Sequence, residues 1–281
     1  MVDQTTYTVV VSNLTDCSGN IIGVNNTDNF TFLNVQAPAL QDIIITEIHA
    51  DPDPVVGLPN AEFVELYNRS TKTINLGGMI FNDGSNHALP AHILAPNAYV
   101  ILTSTAFAAA YSVFGTTLDI GSIALTNSGE LLQLKDNNGN TIDSVLYDLT
   151  WYQDAVKDDG GWTLELINPT VLCRGAANWI ASNNASGGTP GTQNSVYNNT
   201  PDTQGPSLVN ASFVDNITVQ LVFDENLNAT TASVIGNYAI AGLTISNVSF
   251  TPPSTVVLTV SPMVDQTTYT VVVSNLTDCS G

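Results

Sequence analysis

Apolar and polar residues alternate in short runs along most of this chain, with the two-residue period of a strand that buries one face. In TVQLVFDENL, the inward set is Val219, Leu221 and Phe223. In QTTYTVVVSN, Tyr269, Val271 and Val273 repeat the pattern. DTQGPSLVNASFVD reads as a linker and first strand, GNYAIAGLTISNVSF as a further strand region, and STVVLTVSPMV as the strand after it. GELLQLKDNNGNTIDSVLYD reads as a hairpin, because its Asn-Gly tip suits positive φ. One segment departs from the pattern: TAFAAAYSVFG, residues 105–115, predicts a short helix across a sheet edge. No run approaches the roughly 20 consecutive apolar residues of a membrane-spanning helix. Many short strands with turn residues between them predict an all-β chain of packed sheets.

The same nineteen residues, MVDQTTYTVVVSNLTDCSG, occupy positions 1–19 and 263–281 without one difference. Chance does not produce such agreement, so the chain holds one period of a tandem repeat, 262 residues long, plus an overlap. Solenoid units repeat every 20–50 residues or so, and 262 residues instead accommodate two ordinary domains. Because Met263 lies inside the repeat, the economical expectation is a window from a longer array. Residues 201–281 lack a last strand, which NIIGVNNTDNFTFLNV, residues 20–35, supplies in the other copy. Residues 201–262 joined to 1–35 come to 97 residues, close to the roughly 100 of an immunoglobulin-like sandwich. The expected division is therefore 1–35 as the last strands of an Ig-like domain, 36–200 as a second sandwich, and 201–281 as an Ig-like domain awaiting its last strand. Exposed strand edges at the incomplete sandwiches need a cover, either by covalent continuation or by strand donation between chains.

Two resemblances sharpen this. The D-x-x-G-P entry at Asp202 and the D-x-S-G-N turn at Asp16 resemble bacterial Ig-like domains of surface proteins. Residues 41–196 resemble a lamin tail domain in its secreted bacterial form. The match rests on ITEIHADP (45–52), EFVELYN (62–68), GGWTLE (160–165), and NWIAS with GGTPG (178–182, 187–191). That resemblance implies an Ig-like β-sandwich, usually an accessory module and not a catalyst. The alternation of the two resembles giant repetitive surface proteins of gliding bacteria. It implies an extracellular fibre or cell-surface appendage serving adhesion, gliding or capture of other cells. Two other readings stand beside it: a glycan- or protein-binding adhesin module, and accessory domains of a secreted hydrolase.

Composition limits the partners. The net charge is −20, and all five basic residues, Arg69, Lys72, Lys135, Lys157 and Arg174, lie between positions 36 and 200. Phosphate binding needs clustered Lys or Arg, so nucleic acid is not expected as a partner. The expected partners are neighbouring copies of the repeat, including identical chains in a filament.

No serine stands in a G-x-S-x-G turn, and His49, His87 and His92 lack a ligand set with zinc spacing; the expectation is no enzyme and no required cofactor. Calcium is the one cation the acidic segments could take up. Asp51, Asp53 and Glu62, with Glu47 and Glu65 nearby, form one candidate loop, and Asp202 with Asp224 and Glu225 a junctional one. Asp136–Asn140 resembles a calcium loop, but its glycine stands fourth and not sixth, which favours a hairpin turn. Trp151 and Tyr152, in a long polar connection, are candidates for a contact surface, with packing on their own sandwich edge as the alternative.

Cys17 and Cys279 are one repeat position, so each period carries that cysteine and Cys173. Complete pairing is then open to a secreted array. By the Ig-like resemblance, Cys279 sits in the hairpin beside which the preceding domain joins, and Cys173 closes that domain. A Cys173–Cys279 disulfide clamping the junction is expected, with free buried thiols as the alternative. Its loop of about 100 residues would contribute roughly 4–5 kcal/mol in the chain-entropy model.

Overall fold

The computed structural model describes residues 5–24 and 26–278, and of Cys173 the backbone alone. The chain is all-β. Its strands, in chain order, are β1 (Thr5–Val10), β2 (Thr27–Phe32), β3 (Ile43–His49), β4 (Phe63–Asn68), β5 (Ile74–Asn75), β6 (Ile80–Asn82), β7 (Asn86–Ala88), β8 (Ile93–Leu94), β9 (Tyr99–Thr103) and β10 (Thr117–Asp119). There follow β11 (Leu131–Lys135), β12 (Thr141–Leu146), β13 (Leu164–Leu166), β14 (Trp179–Ala181), β15 (Leu208–Asp215), β16 (Thr218–Phe223), β17 (Tyr238–Ile240), β18 (Ile245–Thr251), β19 (Thr255–Val260) and β20 (Val271–Val273).

Contacts divide the chain into two compact units. The first holds Met1–Ile45, Phe63–Ala124 and Leu131–Leu146; the second holds Thr46–Glu62, Leu125–Glu130 and Tyr147–Gly281. In the first unit β10, β9, β4 and the start of β3 lie side by side, while β12, β11, β6 and β7 form another sheet. Ile43, Ile44 and Ile45 are almost wholly buried, as expected of a strand covered on both faces. The backbone N–H of Ile45 donates to Asp143 Oδ2 on β12 at 2.8 Å. Burial raises the Asp143 carboxyl to about 6. The short helix α1 (Ala108–Tyr111) falls within 105–115, and Tyr111 packs its ring 4.9 Å from that of Phe63.

The expected 131–146 hairpin is present as β11 and β12. Its tip is organised by Asp136, whose Oδ1 accepts the N–H groups of Asn138 and Asn140, each at 2.8 Å. Gly139 takes φ +85 there. The turn of DCSGN is built in the same way: Asp16 Oδ1 accepts from Ser18 and Asn20, and Gly19 takes φ +87. Both segments share Asp, Gly and Asn at the same three positions, and in each the aspartate side chain folds the loop.

In the second unit β13 pairs with the latter half of β3, placing Leu164 opposite Ile48 and Glu165 opposite Glu47, and β14 pairs with β13. Residues 208–273 carry one sheet in the order β15-β16-β19-β18 and a second made of β17 and β20. Alternation works as the sequence suggests: Val219, Leu221 and Phe223 of β16 and Val256, Leu258 and Val260 of β19 are buried. They meet Tyr238 and Ile240 of β17 in one core, with Tyr269, Val271 and Val273 packed at its margin.

The two copies of the repeated nineteen residues do not form the same ladder. In the first, β1 pairs antiparallel with β2, Tyr7 opposite Phe30. In the second, Val271–Val273 pairs with β17. Local conformation is nevertheless shared, since Asn13 (φ 57) and its second copy Asn275 (φ 52) both take the left-handed region.

Candidate functional site

Two polar clusters stand out, both within the second unit. The first is a buried carboxyl pair. Glu47 and Glu165 face each other across β3 and β13, and both are 0% exposed. Glu47 Oε1 accepts the hydroxyl of Thr163 at 2.6 Å and the N–H of Thr189 at 2.7 Å. Glu165 Oε1 accepts from Thr189 Oγ1, and its Oε2 accepts from Ser195 Oγ at 2.7 Å and from the Val196 N–H. Burial, and then the neighbouring Glu165 charge, push the Glu47 carboxyl up to about 8. The pair therefore carries a proton at neutral pH, as adjacent desolvated carboxylates must. The partners come from GGWTLE and from the stretch running from GGTPG to Val196, so this is the polar staple that fastens those segments to β3.

Glycines make the approach close enough. A Cβ on Gly188 would lie 2.6 Å from Glu47 Oε1, 2.6 Å from Thr163 Cγ2 and 2.8 Å from a Leu58 methyl. Gly161, at φ +77, would drive a Cβ into the Pro54 carbonyl. Glu47, considered above among calcium ligands, is thus a core residue. Glu62 Oε2 accepts the Leu125 N–H at 2.9 Å, while Asp51 accepts from Asn127 Nδ2 and from the Asp53 N–H. The Glu62 and Asp51 carboxylates act as loop ties.

The second cluster is Asp202, Glu225 and Asp278, whose carboxylate oxygens lie within 4.8 Å of one another. It brings together two of the junctional residues singled out from sequence, with Asp278 as an addition. Arg174 Nε donates to Asp202 Oδ2 at 2.8 Å and holds that carboxyl below its usual range. Desolvation, then the charges of Asp278 and Asp202, raise the Glu225 carboxyl. A recess of about 300 Å³ lined by Arg174, Asp202, Asp224 and Glu225 adjoins the cluster. Arg174 already supplies a cation here. In the first copy, Asp16, the equivalent of Asp278, spends both oxygens on its own turn: Oδ1 on backbone N–H groups and Oδ2 on Asn20 Nδ2. The chemistry of this cluster is that of an ion-paired junction.

The remaining candidates separate. Tyr152 is 3% exposed and belongs to the core, so it offers no contact surface; its phenol is pushed upward by burial. Trp151 is half-buried, its ring 6.2 Å from that of Trp179. His49 is buried, with Nδ1 3.2 Å from the Ala61 carbonyl, and burial lowers it to about 4, so it is neutral. His87 Nε2 meets Asp83 Oδ1 at 2.8 Å. Cys17 is exposed and its thiol is free. Cys279 and the Cys173 side chain lie outside the described residues.

Sequence reasoning missed the Glu47–Glu165 pair, although a lone Glu flanked by apolar residues in both ITEIH and TLELI was a signal. It also missed Arg174–Asp202, which no local pattern marks.

Residues 36–148 match the family model of the Lamin Tail Domain. That lamin-tail region covers β3 to β12 and has an Ig-like fold. No curated protein and no solved structure matches the chain.

Proposed function

We propose that this chain is a structural repeat of an extracellular fibre or cell-surface appendage, of the kind used in adhesion, gliding or capture of other cells. Lamin-tail-like sandwiches, residues 36–200, alternate in it with Ig-like ones, residues 201–281 completed by the counterpart of 1–35. Its partners are neighbouring copies of the same repeat. The observation that carries this reading is the verbatim recurrence of residues 1–19 at 263–281. A fibre under load gains from identical links, whereas a binding site needs to occur only once. The pairing of β13 with β3, and of β14 with β13, supports counting residues up to about 200 with the lamin-tail region. The packing of Trp151 on Trp179 weighs against the glycan-binding alternative.

The Cys173–Cys279 clamp belongs to the same proposal. Arg174, beside Cys173, and Asp278, beside Cys279, both meet Asp202, and Arg174 and Asp278 attract each other directly. That each cysteine adjoins a residue of one ion-pair cluster supports the clamp, which needs Cα atoms roughly 4.4–6.8 Å apart.

Strands of about ten residues at ~3.3 Å each make a sandwich roughly 35–40 Å long, so end-to-end stacking advances about 70–90 Å per repeat. The test is immunogold labelling of intact cells with antibody to residues 36–200, together with negative-stain imaging of the labelled structures. Surface filaments with that axial period are expected. Label found only after lysis, or on isolated globules, overturns the reading.

A further inference from the structure

The two copies of the repeated segment are bonded along opposite edges. In the first copy, the Val11 N–H donates to the Asn26 carbonyl next to β2, at 2.8 Å. In the second, the residue after its equivalent, Ser274, donates to Asn237 next to β17, at 2.9 Å. Successive residues of a strand aim their N–H groups at opposite neighbours. The β2-facing set of the first copy, Tyr7, Val9 and Val11, therefore corresponds to Tyr269, Val271 and Val273, whose backbone faces away from β17. Along that side of β20 no strand is placed among the described residues.

A cavity of about 430 Å³ opens there, lined by Phe213, Val219, Ile240, Leu243, Tyr269 and Val271. Phe213 at its rim is 76% exposed. The first copy shows what belongs beside it. Tyr7, the equivalent of Tyr269, stacks on Phe30 with ring centroids 5.6 Å apart and planes at 24°. Cross-strand partners share a face of the sheet. Phe30 and Phe32, two residues apart on β2, therefore point to the side on which Tyr269 and Val271 meet the core.

We propose that this groove is the acceptor for residues 20–35 of a second copy, bound as an antiparallel strand in the β1–β2 register, with Phe30 filling the cavity against Tyr269. The Ig-like sandwich then has its last strand, and β20 is paired on both edges. This deepens the fibre reading and rests on it only for the source of the second copy, which the next repeat or a separate chain can supply.

The experiment uses the full chain carrying Cys17→Ser and Thr268→Cys, with a synthetic peptide of residues 20–35 carrying Thr31→Cys, in a glutathione redox buffer. Thr268 is the second copy of Thr6, whose hydroxyl lies 3.0 Å from that of Thr31. Both face away from the core, so neither substitution disturbs packing. Mass spectrometry is expected to find a 268–31 disulfide forming at least ~10 times faster than with a peptide carrying Thr27→Cys instead. Adding Phe30→Asp to the Thr31→Cys peptide should reduce it to that slower rate. With the unsubstituted chain, fluorescein-labelled wild-type peptide should give a saturable rise in anisotropy.

Equal cross-linking by all three peptides, or no saturable anisotropy change, overturns the groove assignment. In a chain of two consecutive repeats, protection of the inner copy of position 268 and not of the outer one is the result expected for covalent continuation. Peptide docking in register without filaments on cells would leave the groove intact and remove the fibre reading. Filaments without docking would do the reverse.

Discussion

At the scale of single residues, the Glu47–Glu165 pair makes stability depend on pH in a window that can be isolated. Glu47 has a folded value of about 8 against 4.5 for a free carboxyl. The unfolded chain therefore binds fewer protons between those limits, and stability falls as pH rises through them. Two other groups titrate lower. His49, lowered to about 4, makes stability rise with pH up to about 6.5, and Asp143, raised to about 6, makes it fall below that value. From pH 6.5 to 8 the Glu47 slope stands apart from both, at up to about 1.4 kcal/mol per pH unit. Glu47→Gln keeps an acceptor for Thr163 and Thr189 and removes the titrating carboxyl. Urea unfolding across pH 6.5–8 should show declining stability for the wild type and a flat profile for the variant; parallel profiles would refute the assignment. Gly188→Ala is the steric counterpart. Its methyl would press on Glu47, Thr163 and Leu58, and an overpacked core site costs about 1–3 kcal/mol. A urea midpoint unchanged from wild type would show that the staple yields freely.

Among the elements, the D-x-x-G-N turn is the unit that recurs. Asp136 accepts from Asn138, Asn140 and the Asn140 side chain, and these bonds hold its carboxyl below the usual range. Asp136→Ala should lower the urea midpoint by a small but measurable step, and Asp136→Asn, which keeps one acceptor oxygen, by less. Equal effects of the two would mean that the hydrogen bonds do not hold the hairpin. This turn was legible from sequence because all its contacts lie within five residues. The strands β16 and β19 and the helix α1 were legible for a related reason, since alternation or its interruption is a local signal. Sheet order is not local. Glu47 meets Thr163 and Thr189 only because β3 lies beside β13, and nothing in ITEIHADP names that neighbour. Because the run around Trp151 and Tyr152 is polar, the sequence leaves a contact surface and packing on their own edge both open; Trp179, which packs on Trp151, is 28 positions further along the chain.

For the molecule as a whole, charge opposes the association that the edges favour. Each chain carries −20, and none of its five cations lies in residues 1–35 or 201–281, the two segments that meet when one copy docks on another. The docking strand brings Asp28, and the groove presents Asp215 and Asp265. Apolar contact between Phe30 and the cavity does not weaken with ionic strength, whereas repulsion among exposed carboxylates does. The screening length shrinks from about 14 Å at 50 mM salt to about 6 Å at 300 mM, scaled from the ~10 Å at 0.1 M. Head-to-tail association of single chains should therefore tighten as salt rises, by several-fold over that range, in sedimentation velocity at fixed protein concentration. Asp28→Asn should strengthen it most at the low-salt end and leave the high-salt value nearly unchanged. Phe30→Asp should abolish it at both ends. Association that weakens with salt would mean that ion pairs, and not the paired edge and the filled cavity, join one copy to the next.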